Sequence, residues 1–176
     1  MRQLSPTQPN GHSDSGELGV IDMTWSLEIA NGDLSLGGSG MNTVTDGNKL
    51  VQDLTCAILT PMGTDDMHPA YGSIIDGGTP PGQGYQQGVI GTANDQVAAQ
   101  FVSAEIQRIT TQYQQSQAAR NAADVSTYGN STLSAGEALI SVQGLTIAQS
   151  QTNMLVTATL NTGSGTQSLA VPVVSS

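Results

Sequence analysis

The stretch that decides the fold is Ile58-Leu-Thr-Pro-Met-Gly-Thr-Asp-Asp-Met-His-Pro-Ala-Tyr-Gly-Ser-Ile-Ile75, called the signature segment below. Proline restricts the residue before it and has no N–H, so Thr60-Pro61 predicts the end of a helix. Gly63 can adopt a positive φ directly after that stop. The segment therefore predicts a helix end, a sharp turn and an irregular loop, which its apolar side chains, Tyr71 among them, hold against a core.

The residues before the signature segment predict an arm and a β-hairpin. Residues 1–19 hold almost no apolar groups and cannot offset the entropy of ordering, so they are predicted to form a flexible arm. Alternating apolar residues predict a strand over 23–29, and a turn then leads to a second short strand at 34–36. We expect residues 20–176 to form one domain.

Two main helices are predicted. The first spans 47–59, with Asp46 as its cap and with Lys49 and Asp53 paired one turn apart. The second spans 95–122 behind a capping box that begins at Thr92. Phe101 is predicted to lie beside its inner stripe, which consists of Ala98, Val102, Ile106, Ile109 and Tyr113.

The carboxyl-terminal part of the chain predicts an antiparallel sheet. Residues 76–91 are rich in glycine and proline and predict a long loop before the second helix. Pro172 cannot donate to a strand ladder, so its strand is expected at a sheet edge. The sequence therefore predicts the α+β class: an N-terminal β-hairpin, two main helices and a C-terminal antiparallel sheet. The predicted strands are 138–142, 145–147, 154–160 and 168–174.

Composition restricts the possible partners. Four basic residues stand against fourteen acidic ones, for a formal charge of −10, which argues against a nucleic acid or an anionic membrane as partner. No apolar run approaches the roughly 18 residues that span a bilayer. Cys56 is the single cysteine, so it can form no disulfide within the chain.

Candidate catalytic residues are few and unpaired. A glycosidase needs two carboxylates across a cleft, and no spacing in this chain pairs its acids. Cys56 has no histidine nearby in sequence to activate it, and no phosphate-binding loop is present. We therefore predict no enzyme activity, no metal and no cofactor. The residues considered are Asp65, Asp66, Asp76 and Glu105 as acids, and His12 and His68 as metal ligands.

The signature segment resembles the core motif of the gene 25-like family of baseplate wedge and sheath-initiator proteins from contractile phage tails. The resemblance covers about residues 20–160 and includes Gly32-Asp33-Leu34 in the hairpin. Where the family often carries Glu-Pro-Arg, this chain has Glu137-Ala138-Leu139, so the Pro and Arg are missing. The matching motif residues are Leu59, Thr60, Pro61, Gly63, Pro69, Tyr71, Gly72 and Ser73.

The resemblance implies a structural role in the virion, at the tail baseplate, for a protein made in the cytoplasm of the host bacterium. Its implied partners are the tail sheath protein, baseplate wedge proteins and hub or tube proteins, with about six copies in a ring. Extended arms of the first sheath ring would add to its exposed strand edges. The residues expected to bind partners are Glu137, Ile140, Val142, Leu155, Val156, Leu160, Leu169 and Val171.

Two other functions stay open. The chain could serve a non-phage contractile injection system or a sheathless tail, and neighbouring genes would distinguish these machines. It could also be a tail-tip cell-wall hydrolase that uses Asp65, Asp66 or Glu105.

Overall fold

The computed structural model of the chain describes residues 25–30, 33–37, 40–90, 95–150 and 153–174. Within these ranges two helices and several antiparallel sheets, one of them three-stranded and C-terminal, confirm the predicted α+β class. The predicted arm at 1–19, His12, Met23 and Thr92 lie outside the described residues.

The amino-terminal strands form three short antiparallel arms, called the three-arm junction below (residues 25–45). A ring of main-chain hydrogen bonds joins the arms. Glu28 N donates to Asn42 O (2.9 Å), Asn42 N to Ser35 O (2.9 Å), and Ser35 N to Glu28 O (2.8 Å). The arms are β1 (Trp25–Leu27) with β6 (Thr43–Thr45), β2 (Ile29–Ala30) with β3 (Asp33–Leu34), and β4 (Leu36–Gly37) with β5 (Gly40–Met41).

The predicted single hairpin is therefore only partly present: β2 pairs with β3, but the predicted turn at 31–32 lies outside the described residues, and the predicted second strand, 34–36, divides at Ser35 between β3 and β4. The predicted strand divides at Glu28, because the N–H and the C=O of that residue bond to two different neighbours. The three ring residues are equally spaced in the sequence, and this short repeat is the signal that the hairpin interpretation missed.

Helix α1 (Asp46–Leu59) buries Leu50, Leu54, Ala57 and Ile58. Its predicted cap is wrong: Thr45 occupies the N-cap without a side-chain bond, and Asp46 lies inside the helix at a φ of 53°. Asp is among the few residues other than glycine that adopt this left-handed conformation. At the other end, the Thr60 amide and hydroxyl both donate to Cys56 O (2.9 and 2.7 Å), which confirms the stop at Thr60-Pro61.

The signature segment contains more regular structure than predicted. Strand β7 (Pro61–Met62) pairs in parallel with β8 (Ser73–Gly78), so the predicted irregular loop ends at Ser73 and the predicted loop 76–91 begins inside a strand. The pairing is fixed by Ser73 N donating to Thr60 O (2.8 Å) and Thr79 N donating to Met62 O (2.7 Å). These bonds join residues distant in sequence, which a local pattern does not report.

Helix α2 (Asp95–Tyr128) is longer than the predicted 95–122. Its inner stripe is confirmed, with Tyr113 partly buried and the four aliphatic members fully buried, and Phe101 beside it is partly buried. The segment that follows contacts the extra turns, because Thr132 donates to Asp124. Within the helix, Arg120 lies 3.8 Å from the same carboxylate. Gly129, at a φ of 81°, then ends the helix.

The C-terminal sheet has three strands in the order β11–β10–β9. They are β9 (Leu139–Gln149), β10 (Asn153–Thr162) and β11 (Gly165–Val174). The two strands predicted at 138–142 and 145–147 are one strand with a bulge at Gly144, whose φ is 59°. The edge position of the Pro172 strand is confirmed.

One face of this sheet packs against both helices and forms the core. The sheet residues of this core are Leu139, Met154, Val156, Ala158, Leu160, Leu169, Val171 and Val173. Leu155, Val156 and Leu160 are among the residues expected on exposed strand edges, and this is wrong: β10 is the central strand, with its main chain paired on both sides.

Candidate functional site

The candidate site is the outer edge of β9. Among the described residues, β9 and β11 are each paired along one side only. Ser150 N donates to Asn153 O (2.8 Å), so these two residues form a hydrogen-bonded pair. This pair determines which of the other β9–β10 residue pairs are hydrogen-bonded. Antiparallel ladders alternate between bonded and non-bonded pairs, so the amides of Ile147 and Gln149 point away from β10 toward the outer edge.

The same alternation explains why β11 tolerates a proline. The main-chain N–H and C=O of Leu155 point toward Ala148 on β9. Leu155 and its β11 neighbour, Pro172, therefore share no main-chain hydrogen bond. The missing N–H of Pro172 therefore lies on the outer edge and removes no bond within the sheet. It also leaves that edge with one donor fewer for an added strand.

Helix α2 covers only the beginning of β9. Gln117 accepts from Leu139 N (3.1 Å) and donates to Glu137 O (2.6 Å). Gln114 donates to the carbonyls of Leu139 (3.2 Å) and Ile140 (2.8 Å). The two glutamine side chains thus satisfy the first main-chain groups of the strand, and the open part of the edge begins after Ile140.

Beside the open part lies a groove of about 470 Å³ between β9 and α2. Leu145 and Ile147 line it from the strand. The helix residues that line it are Gln96, Ala99, Gln100, Ser103, Ala104 and Gln107. The two alanines and the serine are small, so they leave room for side chains of an additional strand. The arrangement can bind an extended peptide by main-chain pairing with side-chain pockets.

The predicted partner-binding residues divide by burial. Ile140 and Leu155 are exposed, and Val142 is half-buried. Two of the remaining five, Leu169 and Val171, lie on β11, which is an edge strand as predicted. The side chains of all five are buried: strand alternation turns four of them inward, and Glu137 lies in the turn before β9. These five are Glu137, Val156, Leu160, Leu169 and Val171.

Glu137 instead belongs to a buried charge network. Lys49 Nζ lies 3.1 Å from Glu137 Oε1 and 2.7 Å from Asp53 Oδ2, and Tyr113 donates to the same Asp53 oxygen (2.9 Å). The predicted Lys49–Asp53 pair is confirmed. Burial would lower the pKa of Lys49, but Asp53 and Glu137 together raise it above its ordinary value. Burial first, and then the Asp53 charge, raises the pKa of Tyr113.

A sequence signal for Glu137 was present but unused. Ser134 and Glu137 bond reciprocally: Glu137 N donates to Ser134 Oγ (3.3 Å), and Ser134 N donates to Glu137 Oε2 (3.4 Å). This is the hydrogen-bond pattern of a capping box. The Ser-x-x-Glu spacing therefore predicts a fixed turn directly before β9.

The motif residues of the signature segment hold it to both helices. Ser73 Oγ donates to Ile58 O (2.6 Å), and Gly72 O accepts from Arg108 Nη2 (2.6 Å). Ile75 is fully buried as predicted, whereas Tyr71 remains partly exposed. Tyr71 and Tyr113 line the same groove. Burial raises the pKa of the Tyr71 hydroxyl to about 12. Leu59, Pro61 and Pro69 are exposed at the surface of the segment.

Glu105, considered as a catalytic acid, has a structural position. Its Oε1 accepts from Ile74 N (3.0 Å), and both carboxylate oxygens accept from the Arg108 guanidinium (2.8 and 2.9 Å). The pair thus fixes β8 against α2.

Arg108→Lys is expected to lower the free energy of unfolding by about 1–2 kcal/mol. A lysine ammonium cannot reproduce the planar fork that reaches the Glu105 carboxylate and Gly72 O together. Urea unfolding measures the change, with Arg120→Lys as the control, because the Arg120–Asp124 contact is longer and more exposed. Equal losses in the two variants would contradict the assigned role.

The remaining candidate groups do not converge. Asp65 and His68 form an exposed pair (3.0 Å), and the hydrogen bond from His68 lowers the pKa of Asp65. Burial raises the pKa of the Cys56 thiol. Within the described ranges, no group of three or more histidine, cysteine, aspartate or glutamate residues is placed to hold a metal ion. Neither described helix is long and apolar enough to cross a bilayer.

Comparison with known proteins adds no relative: no family model, no curated protein and no solved structure matches the chain. The features that bear on function are therefore the open edge of β9, its groove and the residues of the signature segment.

Proposed function

We propose that this chain is a non-enzymatic baseplate component of a contractile phage tail that initiates sheath assembly. An extended arm of the tail sheath protein would add to the outer edge of β9 between Leu145 and Gln149. Wedge and hub or tube proteins would hold the chain in the ring.

The observation that carries this proposal is the open edge beside the groove. The edge supplies outward amides and carbonyls at Ile147 and Gln149, and the groove receives inward side chains of the added strand. One neutral hydrogen bond contributes a net of only about 0.5–1.5 kcal/mol, so a single arm would bind weakly. Several copies around a ring would bind the first sheath ring through many such contacts at once.

The bulges of β9 limit where another strand can pair with its open edge. Gly144 bulges opposite Ala158, and Ile140 is the extra residue of a second register shift. Bulges at an edge strand discourage indiscriminate edge-to-edge association. The regular part that remains is the part beside the groove. The same strand addition would serve a contractile injection system outside phages.

Gln149→Pro is expected to abolish sheath assembly while baseplates still form. Proline at this position removes an outward donor and places its ring on the open edge, yet no bond within the β9–β10 ladder is lost. Electron microscopy of tails from a complemented deletion strain measures the outcome. Ala170→Pro is the matched control, because it makes the same change on the outer edge of β11.

Normal sheaths with Gln149→Pro would contradict the proposal. If Ala170→Pro alone abolishes sheath formation, the arm of the sheath protein binds β11 and not β9. Deleting residues 167–176 would be a poor test, because the deletion removes Leu169, Val171 and Val173 from the core.

A further inference from the structure

A second groove, called the tyrosine groove below, lies between the signature segment and α2. Its volume is about 450 Å³, and its lining is mainly apolar. Tyr71 lines it from the signature segment and Tyr113 from α2, and Pro69 and Ile109 add further apolar surface. It shares no lining residue with the groove beside β9. The tyrosine groove is therefore a separate candidate site.

Both tyrosines are held in place before anything binds. The Tyr113 hydroxyl donates to Asp53 Oδ2 (2.9 Å). Gly72 O, directly after Tyr71, accepts from Arg108 Nη2 (2.6 Å). A preformed groove loses little conformational entropy on binding, and aromatic-lined grooves are the surfaces that bind proline-rich segments in the polyproline II conformation.

The unused polar groups of the tyrosine groove are side-chain donors. Arg108 Nη1 donates to Gln112 Oε1 (2.7 Å), so the two N–H donors of this amide are left. The Tyr71 hydroxyl has no hydrogen-bond partner among the described residues. A polyproline II segment makes no internal hydrogen bonds and needs such donors for its carbonyls, whereas a helix satisfies its own carbonyls and an added strand pairs with main-chain groups. The donors therefore favour a proline-rich segment over a helix or a strand.

The chain itself contains a segment of this kind. Pro6-Thr-Gln-Pro9 is the one place in the sequence where two prolines stand three residues apart, and Leu4 precedes it. Proline fixes its own φ and restricts the residue before it to extended conformations, so two prolines at this spacing favour polyproline II. Residues 1–9 include Arg2 and no acid, while the whole chain has a formal charge of −10, so charge attracts the segment to the rest of the protein.

The segment can reach the tyrosine groove of its own molecule. Trp25, the first described residue of the three-arm junction, pairs with Thr45, which directly precedes α1. Ala57, in the last turn of α1, lines the groove. The helical rise puts about 20 Å between these two points. Residues 10–24 span up to about 50 Å when extended, which is more than enough.

We propose that the tyrosine groove binds the Pro6-Thr-Gln-Pro9 segment of the same chain in the polyproline II conformation, with its proline rings against Tyr71 and Tyr113. A segment tied to its site acts at an effective concentration on the order of 1 mM, so a weak contact is enough to fill the groove. While bound, it excludes other proline-rich peptides, which bind only after it leaves. This contact is separate from strand addition on β9 and does not depend on sheath initiation.

The test measures how tightly a labelled peptide with the sequence of residues 3–11 binds the full chain, by fluorescence anisotropy. Pro6→Ala with Pro9→Ala in the chain is expected to tighten peptide binding about tenfold, because the chain's own segment no longer competes. Adding Tyr71→Ala to this double variant is expected to weaken peptide binding at least about tenfold. Tyr128→Ala is the matched control, because this tyrosine is 70% exposed at the far end of α2, and it leaves peptide binding unchanged.

Equal peptide binding by the unsubstituted chain and the double proline variant, or no binding by either, would overturn the proposal, as would an equal loss with Tyr128→Ala. Thermal unfolding checks that Tyr71→Ala is folded. If it is not, Ser116→Arg replaces it, since this exposed helix position lines the groove and a large charged side chain there obstructs it. A dimer that sedimentation detects and that Pro6→Ala with Pro9→Ala dissociates would contradict binding within one chain, because the segment would then occupy a second copy.

Discussion

Lys49→Met is expected to lower the free energy of unfolding by about 3–5 kcal/mol, the largest effect among the substitutions proposed for this protein. Lys49 is 13% exposed at its side chain, and its partner Glu137 is 1% exposed. Removing the cation leaves a carboxylate buried without a counter-charge. Asp53 also loses its counter-charge in the same change and keeps the Tyr113 hydroxyl as its hydrogen-bond donor.

The double variant Lys49→Met with Glu137→Leu isolates the cause. Replacing Lys49 and Glu137 by apolar groups removes the most deeply buried unpaired charge and leaves only the more exposed Asp53 without a cation, so we expect it to recover most of the lost stability. Arg120→Met serves as the exposed control, with an expected change of about 0–1 kcal/mol. Urea unfolding measures all three variants. If Lys49→Met is as stable as Arg120→Met, the buried charge network around Glu137 does not contribute to stability.

Gly72→Ala is expected to cost about 3 kcal/mol. Gly72 has a φ of 100°, which side chains rarely adopt, and an added Cβ would collide with the carbonyl oxygen of Thr60. That oxygen also accepts the Ser73 amide (2.8 Å), so the collision disturbs the bond that joins β8 to the end of α1. Thermal and urea unfolding measure the loss.

Gly82→Ala separates the two contributions to this loss. Gly82 also has a positive φ, 74°, but nothing lies within 4 Å of its added Cβ. We expect it to cost about 1 kcal/mol, the conformational part alone. If both substitutions cost the same, close packing at Gly72 would not be the reason for glycine in the motif.

Local patterns predicted the elements whose causes are local. The stop at Pro61 follows from proline chemistry, and the inner stripe of α2 follows from helical spacing. The edge position of Pro172 follows from its missing N–H. Each of these is a property of a few neighbouring residues, so the sequence shows it directly.

The features that the sequence did not predict depend on distant pairing. Strand β8 exists because Thr60 and Met62 bond to Ser73 and Thr79, and β10 is central only because both neighbours reach it. Likewise, the sequence does not show that Glu137 lies 3.1 Å from the ammonium of Lys49, because the two residues are far apart in the chain. The sequence could predict an open strand edge but not which strand provides it. The location on β9 follows from the hydrogen-bonding pattern between β9 and β10 and from the small residues of α2 beside the strand.

Cryo-electron microscopy of the assembled tail end tests the central claim most directly. We expect density for an extended segment of the sheath protein along β9, hydrogen-bonded to the main chain of Ile147 and Gln149, with side chains in the groove beside Ser103. An outer edge of β9 that faces solvent in a sheathed tail, or that is covered only by this chain's own residues, would contradict it.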